Sequence, residues 1–327
     1  VELVLGIILT NIIILSISLV ILDQASHVTI TNSVKVAEIT GYGKTTIGFL
    51  LIAFSTSLPE LCVSAIAVIG GEERIGIAVG NVLGSNIVNV CLIVGIAVLI
   101  MAVKKSKTTN IFPQITREDL GSLYFGLFVA SVIPLTLMYI AFMSRFIGVL
   151  LILVFILYTY QMSKIRIIKE EASLGEERRK LSYYTFLSLL GIGGVIVSSY
   201  FLVECTTFIA EAVGIPKVVI GATIIAFGTS LPELATSVES VLQGHPELAF
   251  GNVIGSCFVN VTLILGVSLA LTSISRINMN AFSNLVIFSL IANLFLWYFL
   301  SSEKISWREG AVLLFLYTLF LVTSFGG

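Results

Sequence analysis

Two glutamates, Glu60 and Glu233, stand inside long apolar segments, each ending the run T-S-L-P-E. A carboxylate at the bilayer centre costs at least about 2.5 kcal/mol on insertion scales, so such residues mark ion or proton paths. Pro59 and Pro232 precede them. Proline has no N–H for the carbonyl four residues back, here Ser55 and Gly228. A freed carbonyl is tolerated at membrane depth only where protein buries it or where it lines a cavity, and there it can face a cation. Thr56 and Ser57 lie four and three residues before Glu60 and share its helical face. Thr229 and Ser230 repeat that spacing before Glu233. Further along, Ser85 and Asn89 are spaced i,i+4, as are Ser256 and Asn260. These faces offer only oxygen ligands, from carboxylate, hydroxyl, amide and carbonyl groups. An oxygen-only set suits hard cations such as Ca2+ and Na+. A Mg2+ site would keep several waters.

The residues recur because the chain repeats itself. Segment 47–69 matches 220–242 at 13 of 23 positions, and 79–95 matches 250–266 at 11 of 17. Upstream, Ala37, Glu38, Gly41 and Lys44 match Ala210, Glu211, Gly214 and Lys217 in the same register. Duplication alone explains matched packing glycines. It does not explain matched polar residues in mid-span. The glycines of G-N-V-x-G-S are expected to let helices approach closely.

The elements that must hold these groups are membrane spans. Of 327 residues, 57% are hydrophobic and 11% charged, and the mean hydropathy is +1.06. Soluble domains are about 25% charged, so a soluble enzyme, a disordered tail and a collagen-like fibre are excluded. A net charge of −1 removes any case for nucleic-acid binding. The apolar runs are continuous rather than alternating, which excludes a barrel. Ten spans are predicted: 2–23, 46–69, 75–101, 121–142, 145–163, 182–205, 218–242, 247–272, 280–300 and 307–325. The first run is read as a mature segment and not a signal peptide.

Of the 18 Lys and Arg residues, 14 fall in the loops after odd-numbered spans. The positive-inside rule makes that side cytoplasmic and both termini extracellular. Segment 164–181 holds six basic and four acidic residues and reads as a solvated linker. The expected architecture is all-α and polytopic. A five-helix repeat over 1–163 and a second over 182–327 have inverted topology, the pattern of secondary transporters.

Other polar residues have weaker readings. Asn81 and Asn252 match each other, with capping, loop bonding and ion contact all open. Ser64 and Ser237 match one turn beyond the glutamates. Glu239 has no acidic counterpart, since Ile66 aligns with it. Glu204 lies near a span end, and His27 and His245 are expected in loops. Trp297 and Trp307 suit the membrane interface. Cys62, Cys91, Cys205 and Cys257 lie in apolar stretches without metal spacing and read as small buried hydrophobes.

The runs AFSTSLPE and AFGTSLPE, with GNVLGSNIVN and GNVIGSCFVN, resemble the two α-repeats of prokaryotic sodium/calcium exchangers in the cation/calcium antiporter superfamily. The resemblance implies four cation positions between spans 2, 3, 7 and 8, with Ca2+ and Na+ competing in alternating access. The ligands it implies are the Ala53 and Ala226 carbonyls, Thr56, Ser57, Glu60, Ser85, Asn89, Thr229, Ser230, Glu233 and Ser256. Asn260 stands where many relatives carry Asp, and Ser55 where the motif usually has Gly. It further implies that spans 1 and 6 slide over a rigid core. The expected function is Ca2+ extrusion across the plasma membrane by Na+/Ca2+ antiport, with Ca2+/H+ antiport and K+-dependent exchange as alternatives. An ion channel is a different class, against which the inverted repeats argue. No enzymatic or nucleotide-binding motif is found, so neither an enzyme nor a primary pump is expected. Beyond the transported ions and the bilayer, no cofactor or obligate protein partner is expected.

Overall fold

The computed structural model describes residues 2–40, 56–104, 117–140, 142–164, 180–244, 246–272, 277–301 and 306–325. The helices are α1 (Glu2–Thr40), α2 (Leu58–Ile69), α3 (75–104), α4 (Arg117–Ile140), α5 (Arg145–Lys164) and α6 (Leu181–Val213). They continue as α7 (Lys217–Thr229), α8 (Leu231–Leu242), α9 (246–271), α10 (Ser283–Ser301) and α11 (Trp307–Phe325). Seven helices among the described residues are long and apolar enough to cross a membrane, or eight if α7 and α8 form one span bent by 44°. The protein is an integral membrane protein. Two shorter apolar helices, α2 and residues 145–160, fall where the second and fifth spans are predicted. Ala53, Ser55 and most of the predicted linker lie outside the described residues.

Helices α3 and α9 form the centre. Within their apolar windows 67% and 83% of residues are buried, against 17% in α1 and in α11. A helix apolar on all sides belongs inside. By contrast, α1 turns Ile13, Ile17 and Val20 outward, as a lipid-facing helix does. Each central helix carries one π turn, Val88–Ile93 in α3 and Asn260–Ile264 in α9. Such turns cluster at functional sites.

Glycine sets the approach of α7 to α3. A Cβ on Gly80 would lie 2.6 Å from the Val218 carbonyl, and one on Gly221 2.7 Å from that of Ile77. Gly84 abuts the Ala222 backbone still more closely. The expected close approach is thus made by the first G-N-V-x-G-S copy. At its counterpart Gly251, nothing among the described residues lies within 4 Å of an added Cβ.

Two boundaries differ from the prediction. The first helix runs to Thr40, not 23, because the backbone ladder continues through its polar stretch. Ser26, Thr29 and Asn32 there bond the carbonyls of Leu22, Ala25 and Val28 at 2.7–2.8 Å. His27, expected in a loop, therefore lies on this helix. Helix α6 runs to Val213 and stops at Gly214, whose φ of 75° suits a left-handed cap. Along α1, Gly191 of α6 sits so close that a Cβ would lie 2.9 Å from the Ala25 carbonyl.

One end of the bundle gathers the loops after even-numbered spans. Arg74 pairs with Glu204 through bonds of 2.5 and 3.0 Å. Lys217 meets Glu211 at 2.8 Å and Glu73 at 3.6 Å. Phe142–Met143 and Ile277–Asn278 form a short antiparallel ribbon there, which the all-helical reading did not include. Lys217, Glu73, Ile277 and Asn278 line one cavity, so these three connections share a face.

Candidate cation site

Pro59 and Pro232 each enter the first turn of a new helix, α2 and α8. Proline is tolerated there because those N–H groups have no partner in the helix anyway. Ser57 and Ser230 just before them share one backbone conformation, φ −85°, ψ 8° and φ −86°, ψ 9°. At Ser230 this breaks α7 from α8. The break brings Glu60 and Glu233 into the protein interior, where they are 1% and 0% exposed.

The two halves hold each other's glutamate. Ser57 Oγ donates to Glu233 Oε1 at 3.2 Å. Ser230 Oγ donates to Glu60 Oε1 at 3.1 Å. Ser256 Oγ adds a third bond, to Glu233 Oε1 at 3.3 Å. The second oxygens, Glu60 Oε2 and Glu233 Oε2, have no hydrogen-bond partner among the described residues. The same is true of Ser85 Oγ, Asn89 Oδ1 and Asn260 Oδ1. Unpartnered oxygen in a dry interior is costly unless a proton or cation meets it. The orphaned acceptors fall on the residues predicted to bind cations.

Asn81 and Asn252 have a different task. Asn81 Nδ2 donates to Ser64 Oγ at 3.0 Å and to the Glu60 carbonyl at 3.3 Å, while its Oδ1 accepts from Thr229 at 3.1 Å. Asn252 repeats this with Ser237 at 3.2 Å, the Glu233 carbonyl at 3.5 Å and Thr56 at 3.4 Å. Both amides are thus engaged at each end. They pin the backbone of their own glutamate and the threonine of the other half. Of the open readings, the structure shows bonding within the protein for both residues. Ser64 and Ser237 belong to the same network.

The Ala226 carbonyl accepts from Ser230 N at 3.1 Å and lies 3.3 Å from Thr229 Oγ1. Glu239 bonds Gln243 at 2.7 Å on the exposed side of α8, away from the glutamates. Thr236 and Asn86 were missed in the sequence. Thr236 accepts from Asn252 at 3.2 Å, and Asn86 accepts from Asn260 at 3.0 Å. Thr236 aligns with Val63 and Asn86 with Cys257, so a search for matched polar residues passes over both.

Among the described residues no three carboxylates, imidazoles or thiols converge. The site is two carboxylates among neutral oxygens. Its formal charge is −2 with both ionised, which balances one divalent or two monovalent cations.

A family profile described as sodium/calcium exchanger protein matches residues 10–164 and 183–326. The chain is 31% identical to the sodium/calcium exchanger MaX1 of Methanosarcina acetivorans, over 96% of this chain and 98% of that protein. It is 33% identical to human sodium/potassium/calcium exchanger 4 over 39% of this chain and 21% of that protein. A solved structure of the sodium-calcium exchanger NCX_Mj, soaked with Na+ and Sr2+, superposes with a TM-score of 0.68. It is 26% identical, with coverage of 97% of this chain and 99% of that one. With its duplicated motifs, paired buried glutamates and full-length match, the chain belongs to the sodium/calcium exchanger family, on the prokaryotic branch of the cation/calcium antiporters.

Proposed function

We propose that this protein is a secondary antiporter that exchanges Ca2+ for Na+ by alternating access, with inward Na+ driving Ca2+ out of the cell. The observation that carries this reading is the set of orphaned oxygens around Glu60 and Glu233. Family membership and the likeness to the sodium/calcium exchangers MaX1 and NCX_Mj support it. The proposed ligands are Glu60, Glu233, Thr56, Ser57, Ser85, Asn89, Thr229, Ser230, Ser256, Asn260 and the carbonyls of Ala53 and Ala226.

In this reading Ca2+ is held between the two carboxylates, and Na+ competes for the same oxygens. Ser57 and Ser230 position each carboxylate from the opposite half, so the site exists only where the halves meet. Ten spans in two inverted halves, 1–163 and 182–327 around a linker at 164–181, would place it near mid-membrane. Both termini would face outward in the plasma membrane. Helices α1 and α6, the most extensive helix pair among the described residues, would move as one unit past the core.

Charge limits the stoichiometry. Two carboxylates balance one Ca2+ or two Na+. A third Na+ would leave +1 in a poorly screened interior, which is unfavourable. Na+ stoichiometry or affinity is therefore expected to differ from relatives with a third carboxylate at position 260.

Buried carboxylates also take protons, which supports Ca2+/H+ exchange as the second reading. The match to a potassium-coupled relative keeps K+ in the test. Purified protein is reconstituted into vesicles loaded with Na+, and 45Ca2+ uptake is followed against choline-loaded controls at matched pH, with and without K+. Uptake that requires internal Na+ supports the proposal. Uptake driven by a pH gradient and indifferent to Na+ overturns it in favour of protons.

A further inference from the structure

The apolar stretch of α1 is Gly6–Thr29, and Asp23 is its only Asp, Glu, Lys or Arg. At the end of a span an aspartate is ordinary. Because the helix continues to Thr40, Asp23 lies at membrane depth, about 9 Å inside the end of the apolar stretch. It is half-buried. Gln24 Nε2 donates to Asp23 Oδ2 at 3.1 Å. No Lys or Arg pairs with it among the described residues, and His27 follows one turn later. A carboxylate at this depth is costly and is kept where it meets water, a partner or a passing ion.

Its neighbours lead to the cation site. Leu19 lies one turn before Asp23 on the same flank of α1. Leu19 Cδ2 fills the space that a Cβ on Gly228 would take, beside Thr229 and Ser230 at the helix break. From there α1 and α8 run toward the same end of the bundle. Helix α1 is antiparallel to α6, with Lys35 Nζ 4.9 Å from the Tyr184 ring centre. Helices α6 and α7 meet at the opposite end through Glu211 and Lys217. Helix α1 packs on α8, so Asp23 stands about 6 Å beyond Leu19 along a seam that ends at the site.

The repeat shows that packing does not require this acid. Leu22, Ser26 and Thr29 are buried, as are Val195, Ser199 and Leu202 of α6, at the spacing that relates Ala37 to Ala210. The same spacing carries Asp23 onto Ile196, an exposed apolar residue. The charge belongs to α1 alone.

We propose that Asp23 is a staging residue for the transported cations. It is an outlying carboxylate that gathers Ca2+ and Na+ at the Thr40 end of the path, with Leu19 the apolar barrier between it and the pair Glu60 and Glu233. It acts on capture from one face, because Ile196 offers no charge on the other sliding helix. The inference rests on the proposed exchange.

Sided membrane vesicles loaded with Na+ test it through the kinetics of 45Ca2+ uptake. In the proposed topology the Thr40 end is cytoplasmic, so inverted vesicles present it to external Ca2+ and right-side-out vesicles present the other face. Asp23→Asn is expected to raise the KM for Ca2+ at least about threefold in inverted vesicles, with the maximal rate within about twofold of wild type. In right-side-out vesicles its KM should stay within about twofold of wild type. Asp23→Glu should behave as wild type, and added choline chloride should shrink the difference between wild type and Asp23→Asn. An unchanged KM in inverted vesicles, or an equal rise at both faces, overturns the proposal. Should Asp23→Asn not fold, wild type decides. Its KM should rise with choline chloride more steeply in inverted than in right-side-out vesicles, and equal slopes overturn the proposal. Wild-type vesicles without Na+-coupled uptake overturn the exchange reading as well. Coupled uptake with a face-independent effect overturns this inference alone.

Discussion

Ser57 of one half donates its hydroxyl hydrogen to Glu233 of the other at 3.2 Å. Ser230 returns the bond to Glu60 at 3.1 Å. Each carboxylate is thus oriented by a helix break that belongs to the opposite repeat. Neither half owns a complete site, and any motion that separates the breaks disassembles both carboxylate positions together.

Because the two contacts are equivalent, Ser57→Ala and Ser230→Ala should have similar effects. A hydrogen bond to a charged group contributes about 1.5–3 kcal/mol. Each variant should raise the Ca2+ concentration for half-maximal uptake at least about tenfold. A large effect at one serine and none at the other would show that the reciprocity is not used in transport.

Glu60→Gln and Glu233→Gln each remove half of the formal charge that faces the ion. At effective protein dielectric values, one charge beside a divalent ion is worth several kcal/mol. Ca2+ affinity should fall at least about 100-fold in either variant, read by 45Ca2+ binding. Wild-type flux in either one would remove that glutamate from the site.

Asn260→Asp would add a third carboxylate beside Glu233 and Ser256. Asn86 can serve it, since an amide donates to a carboxylate as readily as it accepts from an amide. Cation binding should strengthen and the charge moved per Ca2+ should increase, measured as the reversal potential of exchange in proteoliposomes. Wild-type exchange that already carries three Na+ per Ca2+ at ordinary Na+ affinity would contradict the charge argument. No change in either property would show position 260 to be remote from the ions.

Gly84→Ala tests the packing that sets the site. Its new methyl would meet the backbone of Ala222, which cannot turn aside as a side chain can. Overpacking of this kind costs about 1–3 kcal/mol. The melting temperature in detergent should fall, with weaker Ca2+ binding as α7 is pushed from α3. Gly251→Ala is the contrasting variant, because nothing among the described residues lies within 4 Å of its added carbon.

Much of the candidate site was legible in the sequence because the chain states it twice. Matching T-S-L-P-E runs singled out both glutamates and their hydroxyl neighbours, and G-N-V-x-G-S added Ser85, Ser256 and the asparagines. All of these that fall among the described residues are buried polar groups. Repetition was also the blind spot. Asn86 has no polar match, since Cys257 occupies its place, and only the packed structure brings it to Asn260.

The sequence by itself determined the membrane class, the duplicated motif and the oxygen chemistry. These follow from composition and from periodicity within single helices. Tertiary structure decided which oxygen meets which. Helical spacing places Ser57 on the face of Glu60, yet its bond goes to Glu233. Spacing left Asn81 and Asn252 undecided, and packing spent both amides on backbone and threonine. It also extended α1 to Thr40, past the end of its most apolar stretch. The physical reason is common to the bonds of Ser57 and of the two asparagines. Periodicity fixes the direction a side chain leaves its own helix, but its partner is set by how closely two helices approach. Here that approach is set by Gly80, Gly84 and Gly221, where backbone touches backbone.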